Sequence, residues 1–175
     1  MSIEIRKVLV EEAREYAICH ATCWRAAYKG IIPDEYLNNM LSDMDQVVEI
    51  RKQSISEASG DEYCCITLDG KMIGKLGYSK CRDEDKIDAG EIHAIYLYPD
   101  YWDKGYGRQI MEYTLDKLKA MGFGEVVIWV LEENMRARMF YEKFGFKFDG
   151  TAKEIIIGKP LIEFRYVLEL DEQMQ

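Results

Sequence analysis

The segment LYPDYWDKGYGR, residues 97–108, decides how the rest of the chain is interpreted. It follows an apolar stretch and presents Gly105 and Gly107 just before a helical pattern. Glycine lets the backbone approach a ligand closely, and the first amides of a helix point outward without an intrahelical acceptor. Lys104 and Arg108 add positive charge. The segment predicts a strand, an anion-binding turn and a helix; a tight loop that only caps the helix is the alternative.

Two well-known phosphate motifs do not fit this turn. A dinucleotide-binding fingerprint would place its third glycine at Ile110 and would belong to the first βα unit. A P-loop requires Gly-Lys followed by Ser or Thr, and the sequence has none. The turn is therefore predicted to be an anion site of another class.

Hydrophobic periodicity predicts secondary structure outward from this segment in both directions. A spacing of two, or a continuous apolar stretch, indicates strands at 3–8, 63–68, 71–79, 91–98, 125–131, 146–148, 153–157 and 161–170. A spacing of three and four indicates helices at 11–28, from 33, and at 44–56, 105–121 and 134–144. The Asp-Gly turn at 69–70 predicts a hairpin. Strands that alternate with helices in the second half predict parallel pairing there, so we expect one α/β domain with a mixed sheet and helices on both faces.

The composition excludes several classes of partner. The 175 residues include 23 Lys and Arg and 32 Asp and Glu, a net charge of −9, so no basic surface for nucleic acid is expected. No apolar stretch approaches the ~18 residues of a membrane span, and the start lacks a signal-peptide pattern. We expect a cytoplasmic protein with no membrane partner. The acidity suits either a cationic substrate or simple solubility.

The cysteines predict a reducing compartment and no metal site. There are five of them, an odd number, at Cys19, Cys23, Cys64, Cys65 and Cys81. The Cys19-His20-Cys23 cluster has no second ligand pair at a usable spacing. Buried free thiols are the expected outcome, and no metal is expected.

On these residues the chain resembles the GNAT superfamily of acyl-CoA-dependent N-acetyltransferases. Residues 102–107, WDKGYG, match both glycines of the family's Gln/Arg-x-x-Gly-x-Gly/Ala motif but have Trp102 at its first position. Asn134 followed by 140–146, FYEKFGF, is similar to the family's Asn and Phe-Tyr-x-x-x-Gly-Phe, and 24–33, WRAAYKGIIP, is similar to its first-helix region. The resemblance implies a single N-acetyltransferase domain over 1–175, with a mostly antiparallel mixed sheet and a central parallel strand pair.

The resemblance implies acetyl-CoA as the acetyl donor and assigns residues to it by position. The backbone of Ile95, Tyr96 and Leu97 would pair with the pantetheine arm, and Asn134 would bond to it. The pyrophosphate would be held by the turn, whose residues are Asp103, Lys104, Gly105, Tyr106, Gly107 and Arg108. Tyr141 would protonate the leaving thiolate; its alternative is a core aromatic role.

A base must take the proton that an alkylammonium, with a pKa of about 10.4, loses before it attacks. Glu91 lies where several members of the family place their base, and its alternative is a solvated strand start. His93 is a second candidate because the ordinary imidazole pKa of about 6.5 suits the task, and its alternative is a structural histidine. Even spacing predicts that Glu91, His93, Ile95 and Leu97 share one face of a strand.

The acceptor is predicted only as a class. Trp24, Tyr28 and Tyr36 are candidates for the wall of its pocket, against core packing as the alternative, whereas His20 is expected to be structural. A small-molecule amine, polyamine-like in view of the acidic surface, or a peptide amine would fit. The final strand pair could also pack on a second copy of the chain. A non-catalytic CoA-binding sensor is the alternative; Trp102 favours it, and Tyr141 and Glu91 do not.

Overall fold

One seven-stranded sheet runs through the computed structural model, which describes residues 2–170. Strands β1 to β7 span Ile3–Lys7, Glu62–Leu68, Lys71–Lys80, Gly90–Leu97, Glu125–Leu131, Lys147–Ile156 and Pro160–Glu169. Helices α1 to α5 span Ala13–Ala27, Asp34–Asn39, Met44–Ser56, Tyr106–Ala120 and Met135–Lys143. Short 3-10 turns occupy Val10–Glu12, Glu84–Lys86 and Pro99–Tyr101.

The strand order is β1-β2-β3-β4-β5-β7-β6, and every neighbouring pair is antiparallel except β4 and β5. The predicted mixed, mostly antiparallel sheet with a central parallel pair is therefore confirmed. No helix within residues 2–170 has both the length and the apolar character needed to cross a membrane.

Helices cover both faces of the sheet, as predicted. On one face, α4 buries Ile110, Met111 and Leu118 completely against the central strands. On the other, α1 buries Tyr16 and the thiols of its two cysteines against β2 and β3. Each fully buried side chain of this size contributes roughly 1.5–3 kcal/mol relative to an exposed one. All five cysteines are buried free thiols, as was predicted for Cys19 and Cys23.

Strand β4 carries a β-bulge at His93. Ile92 and Ala94 pair with the adjacent residues Tyr78 and Gly77 of β3, so His93 is the extra residue. A Cβ on Gly77 would lie 2.5 Å from the His93 ring. Glycine at position 77 therefore leaves room for the His93 imidazole. This residue of the neighbouring strand permits the bulge.

The bulge changes which side chains of β4 share a face. Ile95 and Leu97 pack into the core beneath α4. Glu91 and His93 lie on the opposite face and line a cavity together with Tyr96. The prediction that Glu91, His93, Ile95 and Leu97 share a face is wrong, because one extra residue shifts the period-two alternation.

The last two strands also differ from the prediction. The two short strands predicted before the final turn are one strand, β6, whose register with β7 shifts between Phe148 and Ala152. Gly150 has a φ of +91°, and the carboxylate of Asp149 accepts the backbone N–H of Thr151 at 2.8 Å. This turn-like interruption breaks the apolar alternation. The predicted dimer contact through this strand pair stays a prediction.

A buried arginine on β7 anchors the loop between β3 and β4 to strands β6 and β7. The Arg165 guanidinium, 6% exposed, bonds to Asp83, Asp85 and Asp149 at 2.7 to 3.2 Å. Hydrogen bonding to Arg165 lowers the pKa of Asp85. The charged loop is thus anchored rather than freely solvated.

Replacing this guanidinium should destabilise the fold. We expect Arg165→Met to lower the free energy of unfolding by about 3 kcal/mol at neutral pH, because it leaves carboxylates without their buried partner. Asp85 has a lowered pKa in the folded state, so its contribution is present at neutral pH and is lost as the pH falls below about 4. Urea unfolding at several pH values measures both effects; Arg14→Met, at an exposed position, is the control. An unchanged unfolding midpoint would contradict the anchoring role.

Candidate active site

The parallel strands β4 and β5 open a cavity in the middle of the sheet. They pair only at Gly90 with Val126 and at Glu91 with Val127. Beyond Glu91 both strands line a cavity of about 750 Å³, which the start of α4 and the inner side of α5 complete. A cavity of this size suits a small molecule, and β4 offers it a strand edge that β5 does not fill.

The start of α4 presents main-chain donors to this cavity. Gly105 precedes the helix with a φ of +82°, a left-handed conformation that glycine adopts without strain. The N–H of Gln109 is the first to reach back, to the Gly105 carbonyl at 3.3 Å, so the amides of the preceding residues have no intrahelical acceptor. Gly105, Gly107 and Arg108 line the cavity, as does Asp103. Unpaired amides at the start of a helix are the geometry that an anion-binding turn requires.

Lys104 and Tyr106, which were also predicted to contact the cofactor, have side chains directed elsewhere. The Lys104 ammonium lies 5.6 Å from the centroid of the Tyr101 ring. The Tyr106 ring also packs near Tyr101, with ring centroids 6.3 Å apart. Neither side chain lines the cavity. Lys104 and Tyr106 therefore contribute backbone amides to the turn, and their side chains do not reach the cavity.

Trp102, the departure from the family motif, attaches the turn to β4. Its indole N–H donates to the Leu97 carbonyl at 3.0 Å. The guanidinium of Arg136 lies 4.5 Å from the centroid of the Trp102 ring and bonds to Asp103 at 2.9 Å. Arg136 thus supplies a positive charge beside the turn. Arg136 was not among the residues predicted from the sequence. Trp102, an aromatic ring on which a guanidinium can stack, was the signal that pointed to such a partner.

The second predicted motif lines the same cavity. Asn134 begins α5, where its side-chain oxygen accepts the N–H of Ala137 at 3.2 Å, so its NH₂ group is the part that can donate to a ligand. Tyr141 lies about two turns further along the helix and is 8% exposed. Burial, followed by the nearby Tyr96, raises the pKa of Tyr141, so the phenol holds its proton at neutral pH.

A smaller cavity of about 220 Å³ adjoins the first on the α1 side of the sheet. It combines aromatic walls with two carboxylates, and we call it the aromatic cavity; its principal residues are Trp24, Tyr28, Tyr96, Trp129, Glu91 and Glu163. The hydroxyls of Tyr28 and Tyr96 are hydrogen-bonded at 2.8 Å. Tyr28, His93 and Trp129 line both cavities, so the two meet at the opening between β4 and β5.

Burial shifts both candidate bases away from their charged forms. Glu91 is 8% exposed and accepts the backbone N–H of Arg82 at 3.1 Å. Burial raises the pKa of Glu91 above its ordinary value of 4.5. Burial lowers the pKa of His93 to about 4, and its Nε2 has no hydrogen-bond partner within residues 2–170. Glu91 is therefore the stronger base of the two.

The aromatic residues predicted for the acceptor pocket do not all line the same cavity. Trp24 and Tyr28 line the aromatic cavity. Tyr36 is 42% exposed and lines a separate cavity between α1, α2 and α3. His20 packs on Trp24 with ring centroids 4.8 Å apart, and its Nδ1 lies 3.2 Å from the buried Lys75 ammonium.

The family model of the acetyltransferase (GNAT) family matches residues 24–146, well over half of the chain. The chain belongs to this family. It is accordingly an acetyl-CoA-dependent N-acetyltransferase, and the anion-binding turn and the open strand edge lie inside the matched region.

Individual relatives agree with the family assignment. The uncharacterized N-acetyltransferase YuaI of Bacillus subtilis is 26% identical over 167 residues, which cover 90% of this chain and 93% of YuaI. Spermidine N(1)-acetyltransferase of Thermoplasma acidophilum is 26% identical over 155 residues, 86% of this chain and 92% of that one. The fold matches the crystal structure of the PaiA N-acetyltransferase of Thermoplasma acidophilum in complex with coenzyme A, with a TM-score of 0.74, 23% identity, and coverage of 97% and 100%.

The tight packing at Gly107 gives a test of the anion-binding turn. A Cβ there would already touch the Phe140 ring, 3.4 Å from two of its atoms, so the two further methyl groups of Gly107→Val would crowd either that ring or the ligand side of the turn. The first turn of α4 should shift and its amides with it. We expect the affinity for CoA, measured by calorimetry, to fall about tenfold, the equivalent of about 1.4 kcal/mol. Gly124→Val, where a Cβ would meet nothing within 4 Å, is the matched control. CoA affinity equal to that of the control would argue against the turn as the phosphate site.

Proposed function

We propose that the chain, as one N-acetyltransferase domain over residues 1–175, moves an acetyl group from acetyl-CoA directly to a primary amine of a cationic small molecule of the polyamine type. The observation that carries this proposal is the opening between β4 and β5, where the cavity with the anion-binding turn meets the aromatic cavity with its buried carboxylates. The net charge of −9 favours a cationic acceptor. The similarity to a spermidine N(1)-acetyltransferase adds support.

The residues around the larger cavity fit acetyl-CoA, which supplies the acetyl group as a thioester. The free amides at the start of α4, with Arg108 and Arg136 beside them, would hold the pyrophosphate. The main-chain groups of 95–97 that face the opening would pair with the pantetheine arm. The Leu97 carbonyl also accepts the indole N–H of Trp102, which leaves one of its two lone pairs for the arm. Asn134 would donate its NH₂ group to the same arm.

Glu91 is the group we assign to take the proton from the acceptor ammonium. It lines the aromatic cavity, and its raised pKa makes it a better proton acceptor than an exposed carboxylate. The lowered pKa of His93, about 4, makes the imidazole the weaker base, although it lines both cavities. His93 is better suited to bind the entering amine, or a water molecule beside it, through its unpartnered Nε2.

Tyr141 is the group we assign to donate a proton to the sulfur as the C–S bond breaks and the C–N bond forms. It lies in the wall of the larger cavity, and its raised pKa keeps the proton on the phenol until the thiolate develops. The alternative of a non-catalytic CoA sensor rested on Trp102. Arg136 places a guanidinium over the Trp102 ring, where it is paired with Asp103, and Tyr141 and Glu91, which disfavour a sensor, line the two cavities.

Removing the phenolic proton should separate catalysis from binding. We expect Tyr141→Phe to lower kcat by about 10²-fold, the usual contribution of a general acid, and to leave the affinity for acetyl-CoA intact. Release of CoA thiol and calorimetry measure the two quantities. Tyr113→Phe, at a tyrosine that lines neither cavity, is the control. A kcat equal to that of the control would remove Tyr141 as the acid.

The pH dependence tests the base. Glu91 must be ionised to accept a proton, so kcat/KM of the wild type should fall as the pH drops through the Glu91 pKa, which burial places above 4.5. Glu91→Gln should have a lower rate and should lack this acid limb, whereas His93→Gln should keep it. If His93→Gln loses the limb and Glu91→Gln retains it, the assignment of the base is wrong.

A further inference from the structure

The aromatic cavity contains a positive charge that the chain itself supplies. The Lys153 ammonium lies 3.8 Å from the centroid of the Trp129 ring and 3.6 Å from Oε2 of Glu163. Lys153 and Glu163 are direct cross-strand partners on β6 and β7. An aromatic face combined with a carboxylate is a common arrangement for binding an alkylammonium group.

The aromatic face is held in place independently of Lys153. The indole N–H of Trp129 donates to Asp83 at 3.0 Å. Asp83 is bonded in turn to the buried Arg165 at 3.2 Å. The ring is therefore fixed from the side of the β3–β4 loop, and it presents a preformed surface for a cation whether or not Lys153 is there.

Lys153 itself is weakly held. Its side chain is 45% exposed, its distance to Glu163 is at the long end for an ion pair, and β6 is the edge strand of the sheet. Exposed pairs of this kind contribute little to stability. A ligand cation can therefore displace the lysine at small cost.

The carboxylates of the cavity favour a cation at this position. Glu163 and Glu91 line the same small space. Burial raises the pKa of Glu163; Lys153 lowers it, and the charge of Glu91 raises it further. Two like charges in one buried site are costly without a counter-charge. When Lys153 leaves, either another cation balances the two carboxylates or one of them takes up a proton, and a ligand ammonium group meets this need directly.

We propose that Lys153 occupies the place of a second, non-reacting ammonium group of the acceptor, and that the acceptor displaces it on binding. The inference rests on the proposed function and narrows the acceptor to aliphatic amines with at least two positive charges. Lys153 is then an internal competitor, and Trp129 and Glu163 are the residues that select for the second charge.

The test compares two amines of the same length, 1,4-diaminobutane and pentylamine, which differ by one charged end. Lys153→Met removes the ammonium group that competes with the ligand, so KM for diaminobutane should fall about tenfold. This is the effect expected when the ligand no longer has to break one weak ion pair and one cation–π contact. The KM for pentylamine should change much less than the KM for diaminobutane, and both are measured well above the pKa of Glu91, because the charge of Lys153 lowers that pKa. Glu163→Gln should raise KM for diaminobutane alone. Lys147→Met, at an exposed lysine of the same strand, is the control.

Binding distinguishes failure of this inference from failure of the proposed function. Calorimetry of diaminobutane with the CoA-loaded protein should also show about tenfold tighter binding for Lys153→Met. If the wild type acetylates neither amine, the proposed function fails, and the calorimetry still decides the inference. The inference is overturned if Lys153→Met changes KM equally for both amines. It is also overturned if diaminobutane does not bind, or if it binds the variant as tightly as the wild type.

Discussion

The incomplete pairing of strand β4 is the constraint on which the rest of the molecule depends. β4 pairs with β3 along most of its length but with β5 at only two positions, Gly90 and Glu91. Beyond them the edge of β4 is available to a ligand, and the gap connects the two faces of the sheet. The bulge at His93 then turns the polar side chains of β4 toward α1 and its apolar ones toward α4. One defect in pairing thus creates the larger cavity, the aromatic cavity and the passage between them.

Burial at this passage shifts the pKa of each group to which a role is assigned. It raises the pKa of Tyr141, which keeps an acid protonated, and raises that of Glu91, which strengthens a base. It lowers the pKa of His93 to about 4, so the imidazole is neutral at physiological pH. The same low polarity would destabilise the diphosphate of the donor, but the α4 turn lies at the solvent-facing end, with its free amides and two arginines.

Local patterns predicted the parts of the site that local geometry creates. The strand, turn and helix around 97–108 follow from a short stretch of sequence and are present, and Asn134 and Tyr141, which the family resemblance assigned, line the same cavity. The bulge could not be predicted, because the period-two rule assumes regular pairing and the glycine that permits it lies on another strand. Arg136 and Lys153 act through partners distant in sequence. Tyr36 was grouped with Trp24 by its neighbourhood in the chain, yet the orientation of α2 directs it into a separate cavity.

The net charge of the chain says little about the acceptor until the positions of the individual charged residues are known. A net charge of −9 is compatible with solubility alone, and most of the acidic residues carry no more meaning than that. Glu91 and Glu163 differ because they line one small cavity, Glu91 buried and Glu163 partly buried, where a counter-charge favours their ionised forms. Lys153 supplies it in the free protein. A dication that replaces the lysine brings its own counter-charge, so the charge of the cavity is preserved during binding, whereas a monoamine leaves Lys153 in place and gains nothing from Trp129 and Glu163.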